Sequence, residues 1–148
     1  MQKHSVRVWP SAEVHDREEE LAWKFATLAA DSVDVDEKAV AMVVNRVIDN
    51  ASVALASINR GPIVTARAQA LAHAKPGGAT LFGLGSETRV HAEWAAWANG
   101  TAVRELDFHD TFLHMEFGHP GDNICPLIAV AQQKRCSGAD LIRGVVTA

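Results

Sequence analysis

Most of the chain alternates apolar and polar residues with the period of an α-helix. The first such stretch carries Leu21, Phe25 and Leu28 at i, i+4 and i+7. Asp16 and the three glutamates before this stretch favour a helix N-terminus, so a first helix is predicted from residue 17 to about Ala30. Residues 1–16 are an irregular lead-in by the same criterion, with a strand-like edge at Val6, Val8 and Trp9.

A second helix is predicted after Asp34 or Asp36, either of which can cap its N-terminus, and Gly61 followed by Pro62 ends it. One side of this helix is expected to be apolar and the opposite side polar. The apolar face comprises Val40, Val44, Val47, Ala51, Leu55 and Ile58, and the polar face comprises Asn45, Arg46, Asp49 and Asn50.

Prolines and glycines mark the next boundaries. A third helix is predicted from Pro62 to about His73, before a break at Pro76, Gly77 and Gly78. The segment Ala79–Gly85 is too rich in glycine for a helix and suits a single strand or a turn. A fourth helix is predicted from Ser86 to Asn99 and Gly100, with Val90, Trp94 and Trp97 on its apolar face.

The last third of the chain predicts a short helix and loop over residues 101–119 and then two regular helices. Asp122 or Asn123 is expected to cap the first, which continues to Lys134. The second begins at Ser137, where Asp140 completes a variant of the capping box, and continues through Val146. Together these elements predict an all-α fold of six to seven helices. The final apolar stripe is still running at Ala148, so we expect the front portion of a longer protein.

Composition narrows the functional classes. The 148 residues are 48% hydrophobic and carry a net charge of −4 without a basic run, which fits one globular domain and argues against nucleic acid as a partner. The N-terminus has no signal-type apolar region and no run reaches the length of a membrane span, so we expect a cytoplasmic protein with no membrane partner. Cys125 and Cys136 fit neither a zinc nor a disulfide framework and are expected to be buried or semi-buried thiols.

Groups that can move protons concentrate between Asn99 and Asn123. This stretch suggests acid–base or metal chemistry without choosing between them. Its ionisable residues are Glu105, Asp107, His109, Asp110, His114, Glu116, His119 and Asp122.

A metal site has weak support in this stretch. His109, His114 and His119 are five residues apart, and each step turns a helical position by about 140°, so one helix face cannot present all three. The pair His109 and Asp110 resembles the dyad of HD-type metal phosphohydrolases, but that dyad needs further ligands from other helices.

Acid–base chemistry has several candidates. If helical, Asp107 and Asp110 would share a face, and repulsion plus burial would raise the pKa of at least one carboxyl; the alternative is a pair of solvated capping residues. His119 stands before Pro120 and a helix N-terminus that can bind an anion, which favours an acid–base role. Its alternative is a turn histidine bonded to the local backbone.

Several motifs closely resemble the iron–sulfur-independent MmgE/PrpD family of 2-methylcitrate dehydratases, whose relatives include cis-aconitate decarboxylase. The resemblance covers most of the chain from about residue 17. It rests on WAAWANGTAVRELDFHDTF, HPGDNICPLIAVAQ and SGADLIRGVVTA, and on the segments Val44–Asn50, Ala66–His73 and Gly77–Gly83.

The resemblance implies a function and a site. The expected reaction removes water from 2-methylcitrate to give 2-methyl-cis-aconitate in propionate catabolism, with a tricarboxylate substrate and neither metal nor cofactor. The family's motif residues match Asp107 and His119, the expected catalytic groups, and Thr111, expected to bind substrate with the neighbouring His109 and Asp110.

The resemblance also implies that this chain is incomplete. In full-length members later helices and a lid domain complete the helical domain, further site residues lie beyond Ala148, and the protein is expected to be a homodimer. The segment Leu113–Gly118 is bulkier and more charged than the family pattern, and Glu116 would repel a trianion unless turned outward. The alternatives are a non-catalytic helical fragment that self-associates and a relative acting on another tricarboxylate.

Overall fold

The computed structural model describes residues 8–31 and 34–148, which fall into two compact units divided after Val33. In the first unit, Asp16 accepts a hydrogen bond from Glu18 N and caps a 3-10 helix at Arg17–Glu19, which leads to α1 (Leu21–Ala30). All ten residues of α1 are described and none is buried. Residues 8–16 contain neither helix nor strand, and the predicted edge at Val6 lies outside the described residues.

The second unit contains five helices and two small antiparallel sheets among its described residues. The predominantly helical fold is therefore confirmed, with six α-helices in the described part of the chain. The elements are α2 (Glu37–Ala56), α3 (Gly61–Leu71), β1 (Ala74–Thr80), β2 (Arg89–Val90), α4 (Ala92–Arg104), β3 (Phe112–Leu113), β4 (Phe117–Gly118), α5 (Gly121–Lys134) and α6 (Gly138–Thr147). Strand β1 pairs with β2 and β3 pairs with β4.

Helix α4 is central and packs on α2, α3 and α5. Its buried face is lined by alanines, including Ala95 and Ala98, and these meet further buried alanines from α3 and α5 such as Ala66 and Ala129. Side chains this small let helix backbones approach closely while filling the space between them. The site described below lies where α4 ends and α5 begins.

The predicted apolar face of α2 is partly wrong. Val44 and Leu55 are about half exposed, whereas the buried side carries Val43, Val53 and the polar Asn50. Apolar residues occupy 13 of the 20 positions in α2 and occur on more than one side of the helix, so the pattern alone could not fix which side faces the core. By length and composition α2 could also cross a membrane, but core helices of soluble proteins pass the same test, and α2 packs on α4, α5 and α6.

The predicted boundaries of α4 are wrong at both ends. Residues 86–91 contain a turn and β2, so Val90 belongs to a strand, and the helix begins at Ala92. It then runs through Asn99 and Gly100 to Arg104. The Asn99 side chain accepts a hydrogen bond from Phe82 N at 3.0 Å and donates one to the Thr80 carbonyl at 3.0 Å. This Asn–Gly pair therefore lies inside the helix and does not end it.

The chain between α4 and α5 is not a helix and loop as predicted. It forms a turn after Arg104, a segment reaching Thr111, and the β3–β4 hairpin. The predicted third helix is nearly right but ends at Leu71, and β1 continues through the predicted break at Pro76–Gly78.

The caps of the helices are partly as predicted. Asp36 caps α2 by accepting from Lys38 N. At α6, Ser137 Oγ accepts from Asp140 N while Asp140 Oδ2 accepts from Ser137 N at 3.0 Å, which confirms the capping box. The side-chain cap predicted for α5 is wrong, because its N-cap residue is Pro120.

The two cysteines are free and lie in different environments. Burial raises the pKa of the Cys125 thiol to about 12. Cys136 is exposed, so its predicted burial is wrong.

Candidate functional site

His119 stands between the hairpin and the N-terminus of α5 and is half-buried. Its Nδ1 lies 3.0 Å from the carbonyl oxygen of Asp110 and 3.3 Å from Thr111 Oγ1. Because a carbonyl can only accept, Nδ1 carries the proton and donates it. In the neutral ring Nε2 therefore keeps its lone pair, which is the arrangement that a general base requires.

Asp110 lies beneath His119, and its side chain is fully buried. Its Oδ1 accepts from Asn50 Nδ2 at 3.1 Å and from Gly121 N at 3.1 Å, and its Oδ2 lies 3.7 Å from Arg46 Nε. One carboxylate thus joins α2 to the first residue of α5. Since the same residue also holds His119 through its carbonyl, Asp110 fixes the position of the candidate base.

Gly121 is the residue that allows this junction. A Cβ there would collide with Asn50 Oδ1 and lie 2.8 Å from Asp110 Oδ1. Only a residue without a side chain lets the backbone N–H approach the buried carboxylate so closely.

His109 is also buried, and its ring centroid lies 4.6 Å from that of His119. Its Nε2 lies 3.2 Å from Arg104 Nη1. Burial, followed by the neighbouring Arg104 and His119, lowers the pKa of His109 below its ordinary value, while Asp122 and Asp110 act in the opposite direction. His109 is therefore uncharged at neutral pH.

Asp107 and Asp110 do not share a helix face, so that prediction is wrong. Helix α4 ends at Arg104, and Asp107 adopts the left-handed conformation with φ of 48°. The Asp107 side chain is 76% exposed and its Oδ1 lies 3.8 Å from Arg104 Nη1. Among the described residues, Asp107 contacts Arg104, Arg104 contacts His109, and the ring of His109 lies beside that of His119. The catalytic role of Asp107 stays a prediction.

The structure brings four of the five predicted site residues into one cluster. His109, Asp110, Thr111 and His119 lie together, and their predicted functions stay predictions. Because His109 and Asp110 are buried, substrate in this arrangement would meet Thr111 and His119 first. His114 and Glu116 are exposed on the hairpin, so Glu116 does not point into the cluster.

Sequence reasoning missed the residues that hold this cluster in place. They are Arg46, Asn50, Arg104 and Gly121. All four lie in segments that carry the family resemblance: Arg46 and Asn50 in Val44–Asn50, Arg104 in WAAWANGTAVRELDFHDTF and Gly121 in HPGDNICPLIAVAQ. That membership is the one signal the sequence offered.

The donor set does not suit the metal dyad considered for His109 and Asp110. A metal ligand needs a free imidazole lone pair, and Arg104 already occupies that of His109 Nε2. Asp110 Oδ1 accepts two hydrogen bonds. Within residues 8–31 and 34–148, no group of three or more His, Cys, Asp or Glu side chains is arranged to hold a metal ion.

Residues 19–148 match the MmgE/PrpD N-terminal domain. The chain belongs to the MmgE/PrpD family. Among its curated relatives, the mitochondrial 2-methylcitrate dehydratase of Yarrowia lipolytica is 41% identical over 58 residues, which is 38% of this chain and 11% of that protein. The 2-methylcitrate dehydratase of Salmonella typhimurium is 40% identical over 47 residues, 32% of this chain and 10% of that protein.

A third MmgE/PrpD relative, the probable 2-methylcitrate dehydratase of Saccharomyces cerevisiae, is 50% identical over 36 residues, 24% of this chain and 7% of that protein. The chain thus covers about a tenth or less of the length of these relatives. No solved structure matches the chain.

Proposed function

We propose that the cluster of His109, Asp110, Thr111 and His119 forms part of the active site of a hydro-lyase that dehydrates 2-methylcitrate to 2-methyl-cis-aconitate. The observation that carries the proposal is His119, whose Nδ1–H is fixed by the Asp110 carbonyl so that Nε2 keeps its lone pair, while Thr111 Oγ1 lies 3.3 Å from Nδ1. Membership of the MmgE/PrpD family and relatives named as 2-methylcitrate dehydratases support the choice of reaction.

The reaction needs a base, an acid and groups that hold the carboxylates of the substrate. His119 Nε2 removes the proton alpha to a carboxylate. Because His119 Nδ1 carries a proton and cannot accept one from Thr111, the Thr111 hydroxyl proton is free to donate to a substrate oxygen. Asp107 is the acid of the proposal: its protonated carboxyl group gives a proton to the departing hydroxyl group, which leaves as water.

Two positive features lie beside the site. The N-terminus of α5 begins two residues after His119, and the helix dipole adds positive charge there, although its first three N–H groups already donate to Asp110, His119 and Pro120. Arg104 adds a half-exposed guanidinium at the end of α4. Both favour an anionic substrate nearby without contacting it directly, and Glu116 opposes it little because its side chain lies in the exposed hairpin.

The proposal includes a longer polypeptide. Residues 17–148 are then the N-terminal portion of the helical domain, further site residues come from chain beyond these 148 residues, and the enzyme acts as a homodimer in the cytoplasm. The short matched fractions of the relatives support the longer polypeptide.

The test is an ultraviolet assay for the conjugated unsaturated product. 2-Methylcitrate and citrate are each given to the 148-residue chain and to a version extended to the length of the relatives. Turnover of 2-methylcitrate by the extended protein supports the proposal, and preference for citrate would assign another tricarboxylate. Turnover of neither substrate would overturn it.

Replacing His119 separates its role from the fold. In the extended protein, His119→Ala should lower kcat by about 10²–10⁴-fold because a general base is lost, while the circular dichroism spectrum stays unchanged. His91→Ala is the control, since His91 lies at the start of α4 beside Glu93 and away from the site. A His119→Ala enzyme with near-normal kcat would remove His119 from the mechanism.

A second candidate is a helical fragment without activity that self-associates. Exposed apolar side chains favour it, on α2 and on the hairpin. They include Met42, Ile48, Leu55, Phe112, Leu113, Met115 and Phe117. Sedimentation velocity over a range of concentrations tests this candidate, because a chain that stays monomeric throughout would exclude it.

A further inference from the structure

The guanidinium of Arg104 is the point where three segments around the site meet. Its Nη1 lies 3.2 Å from His109 Nε2 and 3.8 Å from Asp107 Oδ1, and its Nε lies 3.8 Å from Asp122 Oδ1. Arg104 itself is the last residue of α4, Asp122 lies in the first turn of α5, and the other two belong to the connecting segment. No role follows for Arg104 from the family motifs.

We propose that Arg104 is a positioning residue of the dehydration site: held by the buried ring of His109, it orients the carboxylate of Asp107 relative to His119. This inference rests on the proposed function, in which Asp107 and His119 are the acid–base groups. It assigns His109 to support rather than to catalysis or direct substrate binding.

The chemistry of arginine fixes the state of His109. Arginine has only donors, so His109 Nε2 must accept and the proton of the neutral ring must lie on Nδ1. The His109 side chain is fully buried, and its Nδ1 has no hydrogen-bond partner in the part of the chain that the structure describes. A buried donor without a partner costs about 1–3 kcal/mol, which indicates that the ring is held for its other contacts.

Those other contacts are with Arg104 and Asp122, 3.2 and 3.8 Å from Nε2, and with the ring of His119. A ring turned over would replace the acceptor with a donor facing a donor, so the ring has one orientation that satisfies Arg104. His109 therefore acts as a fixed, uncharged spacer between the guanidinium and the candidate base.

Asp107 depends on Arg104 for its orientation. Its backbone is left-handed and its side chain is exposed, and the ion pair with Arg104 is the one contact of that side chain among the described residues. At 3.8 Å the pair lacks a hydrogen bond, so the carboxyl oxygens stay available to carry the proton that the departing hydroxyl group takes. Without the guanidinium, solvent alone would surround the Asp107 carboxyl group.

The charges around His109 make the effect of Arg104 on the pKa of His109 measurable. The groups that act on the ring are Arg104 and His119, which disfavour its protonation, and Asp122 and Asp110, which favour it; Asp110 in turn faces Arg46. Removal of the guanidinium would leave the two carboxylates as the main charged neighbours. The pKa of His109 should then rise toward the ordinary histidine value.

Histidine NMR on the 148-residue chain tests this part without any enzyme assay. Long-range proton–nitrogen spectra should show His109 as the Nδ1–H tautomer, titrating at a lower pH than in Arg104→Met. Arg60→Met is the matched control, because Arg60 pairs with Glu105, the residue next to Arg104, and touches neither histidine. An Nε2–H tautomer, or the same titration with and without Arg104, would overturn the proposal.

Kinetics of the extended enzyme test the orientation of Asp107. Displacing a reacting group by about 1 Å costs on the order of 100-fold, so Arg104→Met should lower kcat by about that factor with KM changed less than about threefold. Arg104→Lys keeps the charge but not the planar fork and should remain impaired. A raised KM with unchanged kcat would make Arg104 a substrate anchor and overturn the positioning role.

The two failures are distinguishable. An extended protein that turns over neither tricarboxylate overturns the proposed function, whatever the NMR result. Normal turnover by Arg104→Met overturns only the role of Arg104.

Discussion

Two neighbouring segments of equal length, residues 105–111 and 112–118, treat their side chains in opposite ways. The first buries two polar side chains, with His109 and Asp110 almost completely covered, although Phe108 and Asp107 in the same segment are exposed. The second exposes apolar groups, with Leu113 at 76% and Phe117 at 73% exposure. One segment is fixed by contacts from α2, α4 and α5, and the other is a hairpin of two short strands.

The contrast indicates that the first segment holds site residues in position, whereas the second offers an apolar surface that another surface can cover. Buried polar groups are costly unless paired, so the first segment has few alternative arrangements and can hold His119 accurately. A two-stranded hairpin in water is marginal by itself, and apolar side chains on it gain stability only when something covers them. Substitutions of the buried residues in the first segment should therefore affect folding, and substitutions in the second segment should affect association.

The largest effect is expected at the junction beneath the first segment. Gly121→Ala should destabilise the protein by about 3 kcal/mol, because its Cβ collides with Asn50 and separates the α5 N–H from Asp110. Thermal or urea unfolding measures the change. Gly100→Ala is the control, since a Cβ there meets nothing within 4 Å and alanine should stabilise α4. Equal effects of the two substitutions would mean that the junction is not tightly packed.

A smaller effect is expected from the buried carboxylate itself. Asp110→Asn should cost about 2 kcal/mol, because an amide cannot satisfy Arg46 on one side and the two donors on the other. Asp107→Asn should stay within about 0.5 kcal/mol, since that side chain is exposed and asparagine tolerates a positive φ. Urea unfolding of both variants checks the difference, and similar losses would contradict it.

The smallest effect on folding is expected in the hairpin. Leu113→Ser combined with Met115→Ser should change the unfolding free energy by less than about 1 kcal/mol but reduce self-association, because both side chains are exposed. Sedimentation velocity measures association, and Glu116→Ser is the polar control in the same hairpin. Unchanged association would place the contact surface elsewhere.

Local signals in the sequence predicted the ends of some elements well. The capping box of Ser137 and the Asp36 cap depend on residues within one helical turn, so no distant contact can alter them. Distant contacts decided the elements that were predicted wrongly. Asn99 looked like a helix end, yet its side chain bonds Thr80 and Phe82, about twenty residues away in sequence.

The same limit applies to the site. His119 and Thr111 could be singled out by residue type and by resemblance to a family. The pairing of Asp110 with Asn50, sixty residues earlier, could not, because an asparagine on a mostly aliphatic helix gives no sign of its partner. The sequence also offered no sign of the left-handed backbone at Asp107. The helix face that Asp107 and Asp110 would have shared is therefore absent.

Asn99 also bears on the chemical ageing of the protein. Asparagine followed by glycine deamidates readily in flexible peptides, because the next backbone nitrogen can attack the side-chain amide. In α4 the helical backbone and the two bonds of the amide oppose that attack. Once the helix opens, conversion to aspartate would place a carboxylate against the Thr80 carbonyl, and refolding would be penalised. The rate at which Asn99 deamidates is thus set by how often α4 unfolds.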